Sequence, residues 1–281
     1  MIPAGFEYHR PTDIASAIGI LQQHGDEARV IAGGHSLIPM MKLRMADLAH
    51  LVDLQAIDDL RGIEIAGGEV RIGAMVTQHE MITHEGLGTA LPILREAALQ
   101  IADPQVRYLG TVGGNVANGD PGNDMPGLMQ CVDARFELVG PEGAREVAAR
   151  AFYEAAYFTA REDEEILTQI RIPLPAPGTG YAYEKQKRKI GDYATAAAAV
   201  LIGHGTASVA MTNLADTPIW SEDAGTALAR GDVEGTVAAM LGAIDPMADN
   251  RGPVAFKKHV AGVILRRAIA RAQQRAGGGR G

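Results

Sequence analysis

Three prolines in five residues, Pro173-Leu174-Pro175-Ala176-Pro177, followed at once by Gly178, limit what this chain can fold into more than any other stretch. Proline lacks the N–H that a ladder or helix needs and fixes φ, so neither a strand nor a helix runs through the segment. It reads as a linker between two differently patterned halves. Downstream, Gly180 to Arg188, Tyr193 to Ile202 and Ala207 to Asn213 read as strands, the last two joined at His204-Gly205. Helices follow at Ser221 to Arg230, Val233 to Ile244 and Pro253 to Arg275. Strands followed by helices predict a three-stranded antiparallel sheet with helices on one face. Upstream, short strands and helices interleave. The expected class is α+β: an N-terminal domain of two α/β subdomains, residues 1–55 and 56–177, then a C-terminal domain, 178–281, of antiparallel sheet and helical bundle.

The first subdomain reads as a βαβ-like unit. Thr12 or Asp13 opens a helix with Ile14, Ala17, Ile18 and Leu21 on one face. Arg29-Val30-Ile31 and Leu51-Val52-Asp53-Leu54 are its strands, with a helical turn near Asp58-Asp59-Leu60. In the second subdomain a hairpin closes at Ala66-Gly67-Gly68, and Thr77-Gln78-His79-Glu80 has capping-box spacing. A helix over Leu91 to Ala102 stops at Asp103-Pro104, and another begins at Met125. A hairpin turns around Pro141-Glu142-Gly143, Phe152 to Phe158 reads as a short helix, and Glu165 to Ile172 as a strand. The arginines of the last helix and Gly277-Gly278-Gly279 read as a frayed terminus.

Two glycine-bearing segments carry the chemistry: Ala32-Gly33-Gly34-His35-Ser36 and Thr111-Val112-Gly113-Gly114-Asn115. Without a Cβ, glycine lets the backbone take positive φ and approach a ligand closely. Ser36 is a natural N-cap for a helix through Leu37 to Arg44, whose unpaired N–H groups suit a phosphate. Such turns often only reverse the chain; two of them with Ser, Thr and Asn alongside tilt the reading toward a diphosphate. Neither has the spacing of a P-loop or a Rossmann fingerprint. Between Asn118 and Asp124 a crowd of turn formers forces an irregular loop, in which Asp124 either caps a helix or accepts from a ligand. Lys185, Lys187, Arg188 and Lys189 are either a solvated strand end or a contact for phosphate or an acidic partner surface. His35 fits a donor to phosphate better than a general base. His79 lacks partners at ligand spacing and reads as a solvated helix residue.

Composition removes several classes. Of 281 residues 47% are hydrophobic and 21% charged, ordinary for a soluble globular protein, and a net charge of -8 opposes non-specific nucleic-acid binding. Cys131 stands alone, so disulfides and an iron–sulfur cluster within this chain are excluded, and a reducing, cytoplasmic compartment fits. Met1 to Ala15 show no secretory signal, and Ala194 to Gly203 falls far short of the roughly 20 apolar residues of a membrane span. No nucleophile–base or paired-carboxylate signature stands out, so a bound cofactor is expected to carry the reactivity.

Both glycine segments, with Leu37-Ile38-Pro39, Ile72-Gly73-Ala74, Ala102-Asp103-Pro104-Gln105, Asn118 to Pro126, and Tyr181 to Lys185 through Lys189-Ile190-Gly191-Asp192-Tyr193-Ala194, resemble the flavoprotein subunits of molybdenum hydroxylases, the xanthine dehydrogenase group. Within that group the chain is similar to the medium, FAD-binding subunits of aerobic carbon monoxide dehydrogenases. The resemblance implies FAD lying between the N-terminal and C-terminal domains. Residues 32–36 and 111–115 would hold the diphosphate, with Leu37, Ile101, Ala102 and Gly110 in the cofactor's surroundings. Asp124 would be a ligand of the flavin nucleotide, Leu167 would pack near it, and Tyr193 would lie against the isoalloxazine, with Lys185 and Asp192 nearby. It also implies a small subunit with two [2Fe-2S] clusters, a large molybdopterin subunit, and a dimer of heterotrimers. Carbon monoxide would be oxidised in the large subunit, and FAD would pass the electrons to a quinone or another acceptor, at the inner face of the membrane if that acceptor is membrane-bound. The rival readings are the medium subunit of a hydroxylase for N-heterocycles or aldehydes, a non-redox scaffold with the same fold, and a free-standing flavin oxidoreductase using a nicotinamide donor.

Overall fold

The computed structural model describes residues 2–277 and begins with a small parallel sheet. Its elements are β1 (Glu7–His9), α1 (Ile14–His24), β2 (Ala28–Ile31), α2 (Leu37–Lys42) and β3 (His50–Asp53). β3 lies between β1 and β2 and is parallel to both, the βαβ arrangement read from the sequence. The Asp13 carboxylate caps α1 by accepting from the Ser16 N–H at 2.7 Å, and Ala17, Ile18 and Leu21 pack onto the sheet. This seats the first glycine segment at the carboxyl end of β2.

The second unit is a five-stranded, wholly antiparallel sheet under a layer of short helices. In chain order come β4 (Ile63–Ala66), β5 (Glu69–Gly73), α3 (Gln78–Thr83), α4 (Glu85–Ala90), α5 (Pro92–Ala98), α6 (Pro104–Leu109), α7 (Val112–Ala117) and α8 (Asp124–Cys131). Strands β6 (Arg135–Gly140), β7 (Gly143–Ala148), β8 (Tyr153–Ala155), β9 (Phe158–Thr159) and β10 (Ile166–Pro173) follow. The sheet order is β4-β5-β10-β6-β7, so the last strand is inserted between the two hairpins. Three expectations are corrected here. Phe152 to Phe158 is no helix but the small β8–β9 hairpin, turned where Tyr157 takes φ 63° and anchored by Phe152 packed edge-on to Phe136. Pro104 starts a helix and ends none: α5 already stops at Ala98, and Pro104 occupies the first turn of α6, where its missing N–H costs nothing, behind the Asp103 cap. The second glycine segment is not a turn, because Thr111 caps α7 and both glycines lie in its first turn.

After the linker, β11 (Gly180–Gln186), β12 (Ala196–Ile202), β13 (Ala207–Thr212) and β14 (Ile219–Trp220) form an antiparallel sheet, one short strand more than expected. Helices α9 (Glu222–Ala229), α10 (Val233–Ala243) and α11 (Val254–Gly277) complete the fold. Alternation along β12 divides its alanines between two cores: Ala196 and Ala198 pack with α10 and α11, Ala197 and Ala199 with the N-terminal helices. The expectation of helices on one face is therefore corrected, since α5 and α8 cover the other. The arginines of α11 are not frayed. Arg275 donates to Glu96 of α5 and to the Tyr181 carbonyl, at 2.7 and 2.6 Å, and Arg271 pairs with Glu184. Gly278 and Gly279 of the expected glycine tail lie outside the described residues. Among the described residues no helix is long and apolar enough to cross a membrane.

Candidate functional site

The two glycine segments meet. Gly33 lies so close to the Leu109-Gly110 peptide that a Cβ on it would stand 2.8 Å from Gly110 Cα and 2.9 Å from the Leu109 carbonyl carbon, nearer still to its oxygen. Gly114 faces Ala32, and the His35 ring approaches Gly110. Gly113 in turn abuts the Ala74 backbone and donates its N–H to the Ala74 carbonyl at 3.0 Å. These glycines let main chain touch main chain.

The segments are not equivalent in what they offer a ligand. The main-chain N–H groups of Gly33, Gly34, His35, Ser36 and Leu37 have no acceptor among the described residues, and Gly34 sits at φ 72°. Ser36 occupies the cap position of α2, yet its hydroxyl makes no capping bond and stays available, contrary to its expected role. In the second segment the N–H groups are spent: Val112 on Val76, Gly113 on Ala74, Gly114 on the Thr111 hydroxyl oxygen and Asn115 on Thr111. Its contribution is of side chains. Asn115 Oδ1, Asn118 Nδ2 and both amide atoms of Gln78 are buried without a partner, although Gln78 is only 2% exposed. Gln78 adjoins both segments because its N–H donates to the Gly110 carbonyl at 2.9 Å. Buried amides left unpaired cost about 1–3 kcal/mol each, so four such atoms beside a free N–H cradle mark a place for a polar ligand.

From there a continuous band of contacts leads to the C-terminal domain. The Asn123 amide donates to the Asn115 carbonyl at 3.0 Å, and Asp124 follows as the first residue of α8. Asn123, not Asp124, holds the cap position. One Asp124 oxygen accepts from Tyr183 at 2.5 Å, and the other from Lys185 at 2.7 Å. The Lys185 side chain is 1% exposed, which corrects its reading as a solvated strand end. It and Lys187 also donate to the Gln100 carbonyl, each at 3.3 Å. Burial and the Asp124 charge push the Tyr183 phenol well above its ordinary value, and burial lowers the Lys187 ammonium. Ile101 buries its side chain in the core while its carbonyl accepts from Arg107 at 2.8 Å. Ala102 sits at φ 43°, beside Gly191.

Tyr193 closes the band. Its hydroxyl donates to Asp120 at 3.1 Å, its ring edge presses on Gly122, and the Arg251 guanidinium lies 5.6 Å from the ring centre. Burial, with Asp120 beside it, raises its phenol. Asp192 is held below the usual carboxylate range by its bond from Arg188 and accepts the Tyr193 N–H. Leu167 is buried at an irregular step in β10, and the neighbouring Thr168 carbonyl accepts from Ala74 at 2.9 Å. His79 stacks on Tyr108, ring centres 4.1 Å apart. A cleft of about 240 Å³ between the linker and the start of α5 has no charged side chain in its lining and includes neither glycine segment. Sequence reasoning missed Gln78, Asn118, Tyr183 and Gln100. Tyr183 reads as an alternating strand residue, Asn118 as one of a crowd of turn formers and Gln78 as part of a capping box, while nothing local singles out Gln100.

The free N–H groups and the orphaned amides are suited to receive a polar, anionic ligand, and the Asp124–Lys185 pair adds a buried ionic contact. Residues 4–175 match the family described as the FAD binding domain in molybdopterin dehydrogenase, and residues 181–272 match the CO dehydrogenase flavoprotein C-terminal domain. The chain belongs to the FAD-binding, medium subunits of the molybdenum hydroxylase family. It is 57% identical to the carbon monoxide dehydrogenase medium chain of Afipia carboxidovorans, over 98% of this chain and 99% of that one. It is 44% identical to the corresponding chain of Hydrogenophaga pseudoflava, over 96% and 97%. A crystal structure of Cu,Mo-CO dehydrogenase superposes with a TM-score of 0.94 at 57% identity, over 98% of this chain and 100% of the other. The residues present fit FAD: the cradle suits its diphosphate, and the unpaired amides offer both donors and acceptors.

Proposed function

We propose that this chain is the flavin-carrying medium subunit of an aerobic carbon monoxide dehydrogenase, passing electrons from [2Fe-2S] clusters of a small partner subunit through FAD to a quinone or another acceptor. The run of five unbonded N–H groups from Gly33 to Leu37 carries the flavin part of this reading. Identity of 57% from end to end to a carbon monoxide dehydrogenase medium chain favours that enzyme over hydroxylases of N-heterocycles or aldehydes. One cysteine cannot hold a cluster, so the iron–sulfur and molybdopterin centres would sit in the small and large partners of a dimer of heterotrimers. The complex would work in the cytoplasm, against the inner face of the membrane where its acceptor is membrane-bound. We divide the chain at residues 55 and 177.

Bound FAD would supply the redox chemistry, and this chain's residues supply position and charge. Gly33 to Leu37, with Ala32 behind them, would take the diphosphate, and the Thr111, Asn115 and Gln78 side chains would bond around it beside Gly110, Gly113 and Gly114. Asp124 keeps its two protein donors, so it would act as a fixed charge with one further lone pair per oxygen to offer. Lys185 pairs with that carboxylate at 2.7 Å. Ile101, Ala102, Leu167 and Asp192 would shape the flavin's surroundings, and the half-exposed Tyr193 ring would lie against it. The tag-free chain should purify yellow, or bind added FAD in one equivalent, and should capture an iron–sulfur partner that reduces it under carbon monoxide. A colourless chain that cannot be reconstituted refutes the flavin assignment; a reducible complex inert to carbon monoxide refutes only the substrate.

A further inference from the structure

Around the start of β3, away from the glycine segments, three histidine side chains converge. His9 ends β1, His24 ends α1, and His50 begins β3. Pairing of β3 with β1 and β2 sets His50 opposite Glu7 and Ala28, while Ile31, which leads into the cradle, pairs with Asp53 at the other end. The His24 and His50 rings stack with centres 3.6 Å apart, and His9 Nε2 lies 3.0 Å from His50 Nδ1. One nitrogen from each ring falls within 4.8 Å of the others, and all three residues are half-buried.

We propose that His9, His24 and His50 bind a divalent transition-metal ion of the zinc class. Imidazole nitrogen is a preferred donor for such ions. A tetrahedral ion with Zn–N of about 2.0–2.1 Å holds its nitrogens about 3.3 Å apart, so the His9–His50 pair is close to ligating distance already. His24 would turn out of its stack on His50 to complete the set. Glu7 Oε2 lies 3.6 Å from His50 Nδ1 on an exposed side chain free to swing in as a fourth ligand, or water takes that place. The ligands come from three elements, so the ion would clamp the first strand and first helix to the central strand. Such a site is distinct from the flavin site and asks nothing of it. The alternative is three neutral imidazoles bonded only to one another.

The test uses the full-length, tag-free chain, stripped with a chelator and titrated with Zn²⁺ at neutral pH. One equivalent should be retained through gel filtration at micromolar zinc, Co²⁺ in its place should give the visible bands of a tetrahedral site, and Tm should rise by roughly 5 °C at a hundred-fold excess over Kd. His50→Ala, and separately His9→Gln at the sheet edge should the first fold poorly, should abolish the retained equivalent. His204→Gln, in an exposed turn, should keep it. Retention unaltered by His9→Gln and His50→Ala, or no retained ion at all, overturns the site.

Discussion

Gly33→Ala separates two reasons for a glycine in a cofactor loop. If the residue serves only to admit the diphosphate, the flavin-free chain should tolerate a methyl group. The structure says otherwise. The added carbon would lie 2.9 Å from the Leu109 carbonyl carbon, about 0.5 Å inside the 3.4 Å lower edge of ordinary contact, and 2.8 Å from Gly110 Cα. Neither atom can swing away, because Gly110 donates to Val106 at 2.7 Å and its carbonyl accepts from Gln78 at 2.9 Å. Overpacking against fixed neighbours costs about 1–3 kcal/mol, and clash with main chain places this case near about 3 kcal/mol. With about 2.1 cal/mol/K of unfolding entropy per residue over 281 residues, that lowers Tm by about 5 °C. The assay is calorimetry of parent and variant, both stripped of flavin. Gly19→Ala, mid-helix with nothing within 4 Å of its new carbon, is the control and should gain about 0.5–1 kcal/mol. A stripped Gly33→Ala melting within about 1 °C of its parent refutes the reasoning.

Lys185→Met leaves the buried Asp124 carboxylate without its cation and should cost about 3–5 kcal/mol in urea unfolding. Adding Asp124→Asn should recover part of that loss, and strictly additive losses would show that the pair is not coupled. Burial pushes the Cys131 thiol up to about 12, so it should resist alkylation at pH 8 until the chain unfolds. Because the unfolded thiol ionises first, this group subtracts stability as pH rises above the free thiol's ordinary value and has no effect below it. Alkylation of Cys131 in the folded chain at pH 8, read by mass spectrometry, would contradict its burial.

What the sequence discloses is whatever is local. The Thr77–Glu80 capping box forms as its spacing requires, with both reciprocal bonds present, and the hairpins close at their glycine turns. The run of unbonded N–H groups from Gly33 to Leu37 is legible because it is made of consecutive main-chain groups. Elements whose reasons lie far away in sequence are not. Lys185 sits in a run that looks solvated, and only folding delivers Asp124, 61 positions earlier, to bury it. Gly113 and Gly114 look like a turn because glycine is a poor helix former; they are glycine because Ala74 and Thr111 leave no room for a side chain, and helical behind the Thr111 cap. Phe152 to Phe158 reads as a helix, but Phe152 and Tyr153 are both set edge-on to the Phe136 ring of β6 instead. His9, His24 and His50 share no spacing that names them.

Glu96 accepts both the Tyr183 N–H and the Arg275 guanidinium, and Asp124 accepts from Tyr183 and Lys185. Every one of these donors lies beyond the proline segment and every acceptor before it. The covalent tether is thus not the only link: carboxylates of two short helices grip the second half at fixed points, while the tether itself is pinned where the Leu174 N–H donates to the Gly68 carbonyl at 2.8 Å. The spacing of the two halves is therefore fixed by charge placed deep in the seam, at Glu96 and Asp124, more than by the length of the cord that joins them.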